Sequence, residues 1–176
     1  ISYYDQTNAS LKVVKCTNQD CSSINTPLTM DSQSGSYNSI AIGTDSYPFI
    51  SYYNHGNGTL KSIKCNNWTC TNSEAPKTLD DEYAVGQFNS VAIGDDGLPV
   101  ISYYDHTNKD LKILKCTHRS CNTHHTPRSV DTAGDVGKTT SIAIGNDNKP
   151  IVSYFDETSL ADNLKVYSCG DPECKR

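Results

Sequence analysis

One motif returns four times along this 176-residue chain: ISYYD at 1–5, ISYYN at 50–54, ISYYD at 101–105 and VSYFD at 152–156. Each copy leads to a Leu-Lys pair (Leu11-Lys12, Leu60-Lys61, Leu111-Lys112, Leu164-Lys165) and then to two Cys with four residues between them. Thr26-Pro27, Ala75-Pro76 and Thr126-Pro127 follow, and SIAIG or SVAIG closes the period at Gly43, Gly94 and Gly145. A fixed period near fifty residues means stacked copies of one supersecondary unit, because each copy can bury its apolar faces only against a neighbour. The units run over about 1–36, 37–87, 88–138 and 139–176, the first and last of them partial, within a single repeat domain.

Within a unit the β-branched and aromatic runs predict four short strands: A at 90–94, B at 99–105, C at 111–116 and D from Cys121 to about Val130. Helical periodicity is absent. Between A and B stand Gly, Asp and Pro at fixed places (Gly43, Asp45, Pro48; Gly94, Asp96, Pro99; Gly145, Asp147, Pro150), which suits a tight turn with an Asx-type cap. Links this short exclude parallel crossovers, so the expected sheet is an antiparallel meander. Along strand B, Val100, Ser102 and Tyr104 face one way and Ile101, Tyr103 and Asp105 the other, so both faces carry large apolar groups. Four-stranded sheets buried on both sides at a constant period predict an all-β, β-propeller-like array of about three and a half blades, with strands BCD, ABCD, ABCD and ABC.

The string S-[IV]-A-I-G-x-D-x-x-P-x-I-S-Y-Y-D-x-x-N-x-x-L-K resembles the sialidase-like β-propeller repeats of secreted bacterial and archaeal proteins, and it does so in every register of the chain. The resemblance implies the propeller and an extracellular home, and says little about activity. This chain departs from the family by carrying a Cys pair around the C to D hairpin where tryptophans are usual.

The pairs Cys16/Cys21, Cys65/Cys70, Cys116/Cys121 and Cys169/Cys174 have equal spacing. A C to D hairpin of that length brings opposite Cβ atoms within bonding reach, which predicts one disulfide per repeat and an oxidising compartment. A zinc site is the competing reading, and its usual ligand spacing fits less well. The sequons at Asn8, Asn57 and Asn67 fall on predicted hairpin tips, where a glycan or a plain polar turn is the choice. Asp45, Asp96 and Asp147 read as turn caps, since each turn offers too few oxygens for calcium. The column Asp5, Asn54, Asp105 and Asp156 lies across one hairpin from Lys12, Lys61, Lys112 and Lys165, which predicts cross-strand ion pairs.

Net charge is −5 and no basic cluster appears, so nucleic acid is not an expected partner. No apolar run is long enough for a membrane span. No cofactor and no metal site is expected. The sialidase-like resemblance invites a search for three arginines converging on a carboxylate, but Arg119, Arg128 and Arg176 fall in a hairpin tip, strand D and the last position. His118, His124 and His125 gather near one outer edge and read as a solvated loop. Chemistry repeated at equivalent places reads as architecture. The sequence therefore predicts a non-enzymatic extracellular structural or interaction module, associating head to tail with itself or with neighbouring repeats of a longer chain. Its alternatives are a lectin-like propeller, with glycans as ligands of the Tyr columns, and more remotely a sialidase-like hydrolase.

Overall fold

A computed structural model describes residues 1–158 and 163–175. Among the described residues fourteen strands form four antiparallel sheets, with three strands in each outer sheet and four in each inner one. The first sheet holds β1 (Ser2–Asp5), β2 (Ser10–Val13) and β3 (Leu28–Ser32). The second holds β4 (Ser36–Ile42), β5 (Pro48–Asn54), β6 (Thr59–Lys64) and β7 (Lys77–Asp80). The third repeats it as β8 (Val85–Ile93), β9 (Pro99–Asp105), β10 (Asp110–Lys115) and β11 (Arg128–Asp131). The fourth holds β12 (Val136–Ile144), β13 (Pro150–Asp156) and β14 (Asn163–Ser168). Every sheet follows chain order, so the fold is the array of meandering propeller-type blades that the fifty-residue period dictates.

Strand B is the centre of each blade, and β5 and β9 are buried at every position. Their two faces feed different cores. Ile101 and Tyr103 join Phe49, Leu60 and Leu79 of the sheet before, whereas Val100, Leu111 and Ile113 join Val152 and Tyr154 of the sheet after. Each blade is thus half of two cores, and blade-to-blade packing supplies the burial that a lone four-stranded sheet cannot. At the inner edge β4, β8 and β12 stand side by side. Their serines stitch them together: Ser39 Oγ accepts the N–H of Val91 at 3.1 Å, and Ser90 Oγ that of Ile142 at 3.2 Å. Gly86 shows why the approach is so close. It has φ of 102°, and a Cβ there would lie 2.8 Å from the Leu60 Cα of the preceding blade.

Polar latches recur at each joint. The hydroxyl of Tyr52 donates to Asp31 at 2.7 Å, Tyr103 to Asp80 at 2.6 Å and Tyr154 to Asp131 at 2.6 Å. The lysine opposite each tyrosine reaches the same carboxylate: Lys61 to Asp31 at 2.7 Å, Lys112 to Asp80 at 2.9 Å and Lys165 to Asp131 at 3.4 Å. The expected cross-strand pairs also form, with Lys12 2.7 Å from Asp5 and Lys165 2.8 Å from Asp156. The lysine column therefore binds two blades where the sequence suggested one hairpin. A second latch joins Ser51 to Asn89 at 2.6 Å and Ser102 to Thr140 at 2.9 Å.

Two local expectations change. Strand D does not start at Cys121: it starts at Arg128 in the third sheet, and residues between Cys116 and Arg128 form an irregular loop with one bridge from Cys116 to His124. The Cys spacing mimics a hairpin because the second Cys of each pair turns back in the left-handed region, with φ of 56° at Cys21, 57° at Cys70, 54° at Cys121 and 50° at Cys174. In the A to B turns the positive φ belongs to Ser46, Gly97 and Asn148, while Gly43, Gly94 and Gly145 keep ordinary φ. What those glycines provide is room, since a Cβ on Gly94 would lie 2.7 Å from the Asp96 carboxylate. The aspartates cap as expected: Asp45 accepts the N–H of Tyr47 at 3.0 Å and Asp96 that of Leu98 at 2.9 Å. Each also binds a buried lysine, Lys64 or Lys115, at 2.9 Å.

Candidate functional site

The end of the blades where strand A enters and strand B leaves carries an unusual backbone. β4, β8 and β12 each contain a bulge, at Ser36/Ser39, Gln87/Ser90 and Lys138/Ser141. The bulged residues Tyr37, Phe88 and Thr139 adopt φ of 48°, 52° and 47°. Left-handed backbone is rare for bulky side chains and costs on the order of 1–3 kcal/mol each, persisting where the surroundings enforce it. A bulge re-aims its side chain. Here it turns Tyr37 and Phe88 out of the sheet pattern and onto each other, with ring centroids 4.5 Å apart.

Those two rings are the middle of a continuous aromatic ribbon. Tyr4 lies 6.0 Å from His55, His55 is 5.0 Å from Tyr53, and Tyr53 is 6.1 Å from Tyr37. Beyond Phe88 come Tyr104 at 6.2 Å and then His106, 6.0 Å further on. Seven rings from three blades thus adjoin at one mouth. Tyr53 and Tyr104 are buried, while Tyr37, His55 and His106 are exposed. Ser36 Oγ shares a hydrogen with His55 Nε2 at 2.7 Å, which orients that imidazole.

The ribbon ends in charge. Tyr104 donates its hydroxyl to Asp135 at 2.6 Å, and the Lys138 ammonium lies 5.3 Å from the centre of the Tyr104 ring. Lys138 binds Asp135 at 3.2 Å and also pairs with Glu157, whose carboxylate is partly exposed. Burial pushes the Asp135 carboxyl up, but hydrogen bonds from Tyr104 and Lys138 outweigh it and hold the group below the usual carboxylate range. Burial likewise works against the Lys138 charge, and its bonds to Glu157 and Asp135 prevail. Burial and the bond to Asp135 raise the Tyr104 phenol, so it stays a donor. The arrangement is an apolar, ring-lined platform with an ionised carboxylate and an ammonium at its edge. Such a surface stacks on the C–H face of a ring and bonds hydroxyl groups at its rim.

The positions that build this mouth vary from blade to blade. The residue after strand B is Gln6, His55, His106 or Glu157, and the first bulge residue is Ser36, Gln87 or Lys138. Repeating columns hold the architecture, and these non-repeating ones break its symmetry. Sequence reasoning overlooked them because it looked for chemistry within the repeat. The signal available was the recurring glycine four places ahead of each SIAIG or SVAIG run: Gly35, Gly86 and Gly137.

Most of the expected site residues lie elsewhere. All four Cys pairs are bonded, with Cα separations of 4.8 to 5.0 Å, at the end of the blades opposite the mouth. Asn8 and Asn57 are exposed in B to C turns, and Asn67 is half-buried in a disulfide loop. Arg119 sits in another such loop and Arg128 on the outermost strand, so they do not converge; Arg176 lies outside the described residues. His118 bonds Ser120 and His125 faces Glu173 at 3.6 Å. Among the described residues no group of three or more His, Cys, Asp or Glu side chains could hold a metal ion, and no helix is long and apolar enough to cross a membrane.

No protein-family model and no curated sequence matches the chain. Its likeness to solved structures is one of fold. An alpha-L-arabinofuranosidase from Clostridium thermocellum ATCC 27405 superposes with a TM-score of 0.59 at 12% identity, covering 98% of this chain and 68% of that one. An alpha-L-arabinofuranosidase from Lactobacillus brevis gives 0.55 at 13% identity over 79% of this chain and 50% of its own. An ulvan lyase of polysaccharide lyase family PL25 gives 0.55 at 15% identity over 97% and 45%. The chain therefore spans about half the length of two of these proteins and about two thirds of the third. The comparisons bear out the propeller fold and overturn the expectation of a non-enzymatic scaffold: the structures that share this architecture are carbohydrate-active enzymes. The physical reason for the error is the asymmetric mouth, which a search confined to repeated residues does not see.

Proposed function

We propose that this chain is the glycan-engaging part of a carbohydrate-active β-propeller enzyme, with a saccharide lying along the ribbon from Tyr4 to His106. The observation that carries the reading is the pair Tyr37 and Phe88, held in costly left-handed backbone at the mouth where glycine would relieve the strain. The enzymatic nature of the fold's neighbours supports it. Sugar rings present apolar C–H faces, and the ribbon supplies π-faces; the rim supplies Asp135, Lys138 and Glu157 for hydroxyls. Glycosidic cleavage builds positive charge on the sugar, which ionised carboxylates stabilise. Asp135, kept ionised by Tyr104 and Lys138, and Glu157 are the carboxylates we assign to that task. The likeness of SIAIG and ISYYD to sialidase-like repeats of secreted proteins, together with the disulfides, supports an extracellular setting for this function.

The test is binding and turnover on arabinan, xylan, galactan and ulvan oligosaccharides, followed by calorimetry and by release of reducing ends. Saturable binding is expected, weakened about tenfold or more by Phe88→Ala and by Tyr37→Ala, in line with the 1–3 kcal/mol carried by an aromatic platform residue. Asp135→Asn is expected to lower turnover more than binding. Silence toward every oligosaccharide, or binding indifferent to both aromatic changes, sinks the reading.

A further inference from the structure

The second blade departs from its neighbours in the turn from Asn54 to Thr59, which joins β5 to β6. In the first and third blades the asparagine of this turn is tied down: the Asn8 side-chain nitrogen donates to Asp5 at 2.8 Å, and that of Asn108 to Asp105 at 2.9 Å. Asn54 stands where those aspartates stand. Its Oδ1 accepts the N–H of Gly56 at 2.7 Å and that of Asn57 at 3.3 Å, and its other terminal atom is an amide nitrogen, which donates and does not accept. The Asn57 amide therefore loses the partner that holds Asn8 and Asn108, on a residue exposed to solvent.

An uncovered ring lies beside it. Tyr83, in the connection from β7 to β8, is 77% exposed, and the corresponding residues of the other blades are Ser32 and Gly134. The Tyr83 carbonyl accepts the Thr107 hydroxyl at 2.6 Å, which pins its backbone to the turn of the third blade. Gly58 lets the ring come close: a Cβ there would lie 2.8 Å from the Ala84 nitrogen and 3.4 Å from Tyr83 Cδ2. Ala9 and Lys109 fill that place elsewhere, so the open ring and the released amide meet in one blade.

Thr59 supplies an independent observation. It is 4% exposed, and its Oγ1 is enclosed without a hydrogen-bond partner. Enclosing a hydroxyl in this way carries a cost that valine at the same position would avoid. The triplet Asn57-Gly58-Thr59 gives the hydroxyl a use outside the folded state, as the third member of an N-glycosylation sequon. We propose that Asn57 carries an N-linked saccharide whose first sugar lies on the Tyr83 ring. The donor is a glycosyl pyrophosphate: a bond forms between its anomeric carbon and Asn57 Nδ2, the anomeric C–O bond breaks, and the pyrophosphate leaves with that electron pair while the amide gives up one proton. Because the fold encloses the Thr59 hydroxyl, the transfer takes place on the unfolded chain. On folding, the apolar C–H face of the sugar covers the open π-face of Tyr83. This site is separate from the saccharide reading of the mouth and does not depend on it.

The test is secretion from a glycosylating host, glycopeptide mass analysis, and melting curves on four chains: the parent, Asn57→Gln, Tyr83→Ala and the double variant. Sugar is expected on Asn57, and the parent is expected to melt about 2–4 °C above Asn57→Gln. In the Tyr83→Ala background that difference is expected to vanish, while Tyr83→Ala by itself leaves the sugar-free chain unchanged. A fifth chain, Thr59→Val, is expected to lack the sugar and to melt no lower than Asn57→Gln, since it sheds an unbonded hydroxyl. A bare Asn57 overturns the proposal, as does a sugar-dependent gain that survives Tyr83→Ala. Melting of Thr59→Val below Asn57→Gln also overturns it, because the hydroxyl then serves the fold.

Discussion

The hydroxyl of Tyr103 ends 2.6 Å from the Asp80 carboxylate, and that contact closes the joint between the second and third blades in the middle of the largest buried cluster. Lys112 meets the same carboxylate at 2.9 Å, so three polar groups from two blades share one site that is almost free of water. Tyr103→Phe keeps the ring and removes the donor, leaving a buried anion short of one bond. A loss of about 1–3 kcal/mol is expected in urea or thermal unfolding. Tyr3→Phe changes the same column in the first blade, which has no preceding blade among the described residues, and is expected to be close to neutral. Equal losses from the two variants would refute the latch.

Acid should loosen the joint between the third and fourth blades. Hydrogen bonds from Lys165 and Thr158 hold Asp156 at about 2, against an ordinary value of 3.8. At Asp131, burial acts upward, yet the bonds from Tyr154, Ala133 and Lys165 keep the carboxyl below its usual range. A carboxylate with a depressed folded pKa binds fewer protons folded than unfolded, so its contribution is complete above the unfolded value and is lost as pH falls toward the folded one. The melting temperature is therefore expected to be level near neutrality and to fall between about pH 4 and pH 2. A melting temperature that stays level down to pH 2 would contradict the ion-pair account of that joint.

The disulfides act locally. Each closes a loop with a sequence separation of 5, for which loop entropy gives about 2 kcal/mol. Replacing Cys65 and Cys70 by Ser should cost roughly that amount plus the burial lost at two enclosed sulfurs, while glycan binding at the opposite end of the blades stays intact. Parallel unfolding and binding measurements on the double variant separate the two effects.

We propose that the three sequons differ in their capacity for a glycan. The side-chain nitrogen of Asn8 donates to Asp5 at 2.8 Å and that of Asn67 to Thr71 at 2.8 Å, so both are engaged at the atom that would be modified. Asn57 is exposed in its turn and uses its backbone N–H toward Asn54. Expression in a glycosylating host followed by glycopeptide mass analysis should find Asn57 occupied first. Occupancy at Asn67 ahead of Asn57 would refute this ordering.

Much of the fold could be read in the residues because the period copies its packing rules. The alternation of Ile101, Ser102, Tyr103 and Tyr104 announces a strand buried on two sides, and Asp45 and Asp96 announce capped turns. Strand D was placed too early because five-residue Cys spacing looks like a hairpin, whereas left-handed φ at Cys21, Cys70, Cys121 and Cys174 folds the chain back without a ladder. The mouth was hidden for a related reason. Left-handed backbone at Tyr37 and Phe88 is imposed by the crowded approach of Gly35 and Gly86 to the neighbouring blade, and no local preference of Tyr or Phe foretells it. The lysines were recognised as ion pairs within hairpins, but their reach to the preceding blade follows from stacking geometry that a single repeat does not contain.

The bulge at Tyr37, Phe88 and Thr139 separates display from support. Because the ladder resumes at Ser39, Ser90 and Ser141, a substitution at the turned-out position alters the texture of the mouth and spares the serine bonds that stitch the inner strands together. A chain organised in this way can change the side chains it displays one blade at a time.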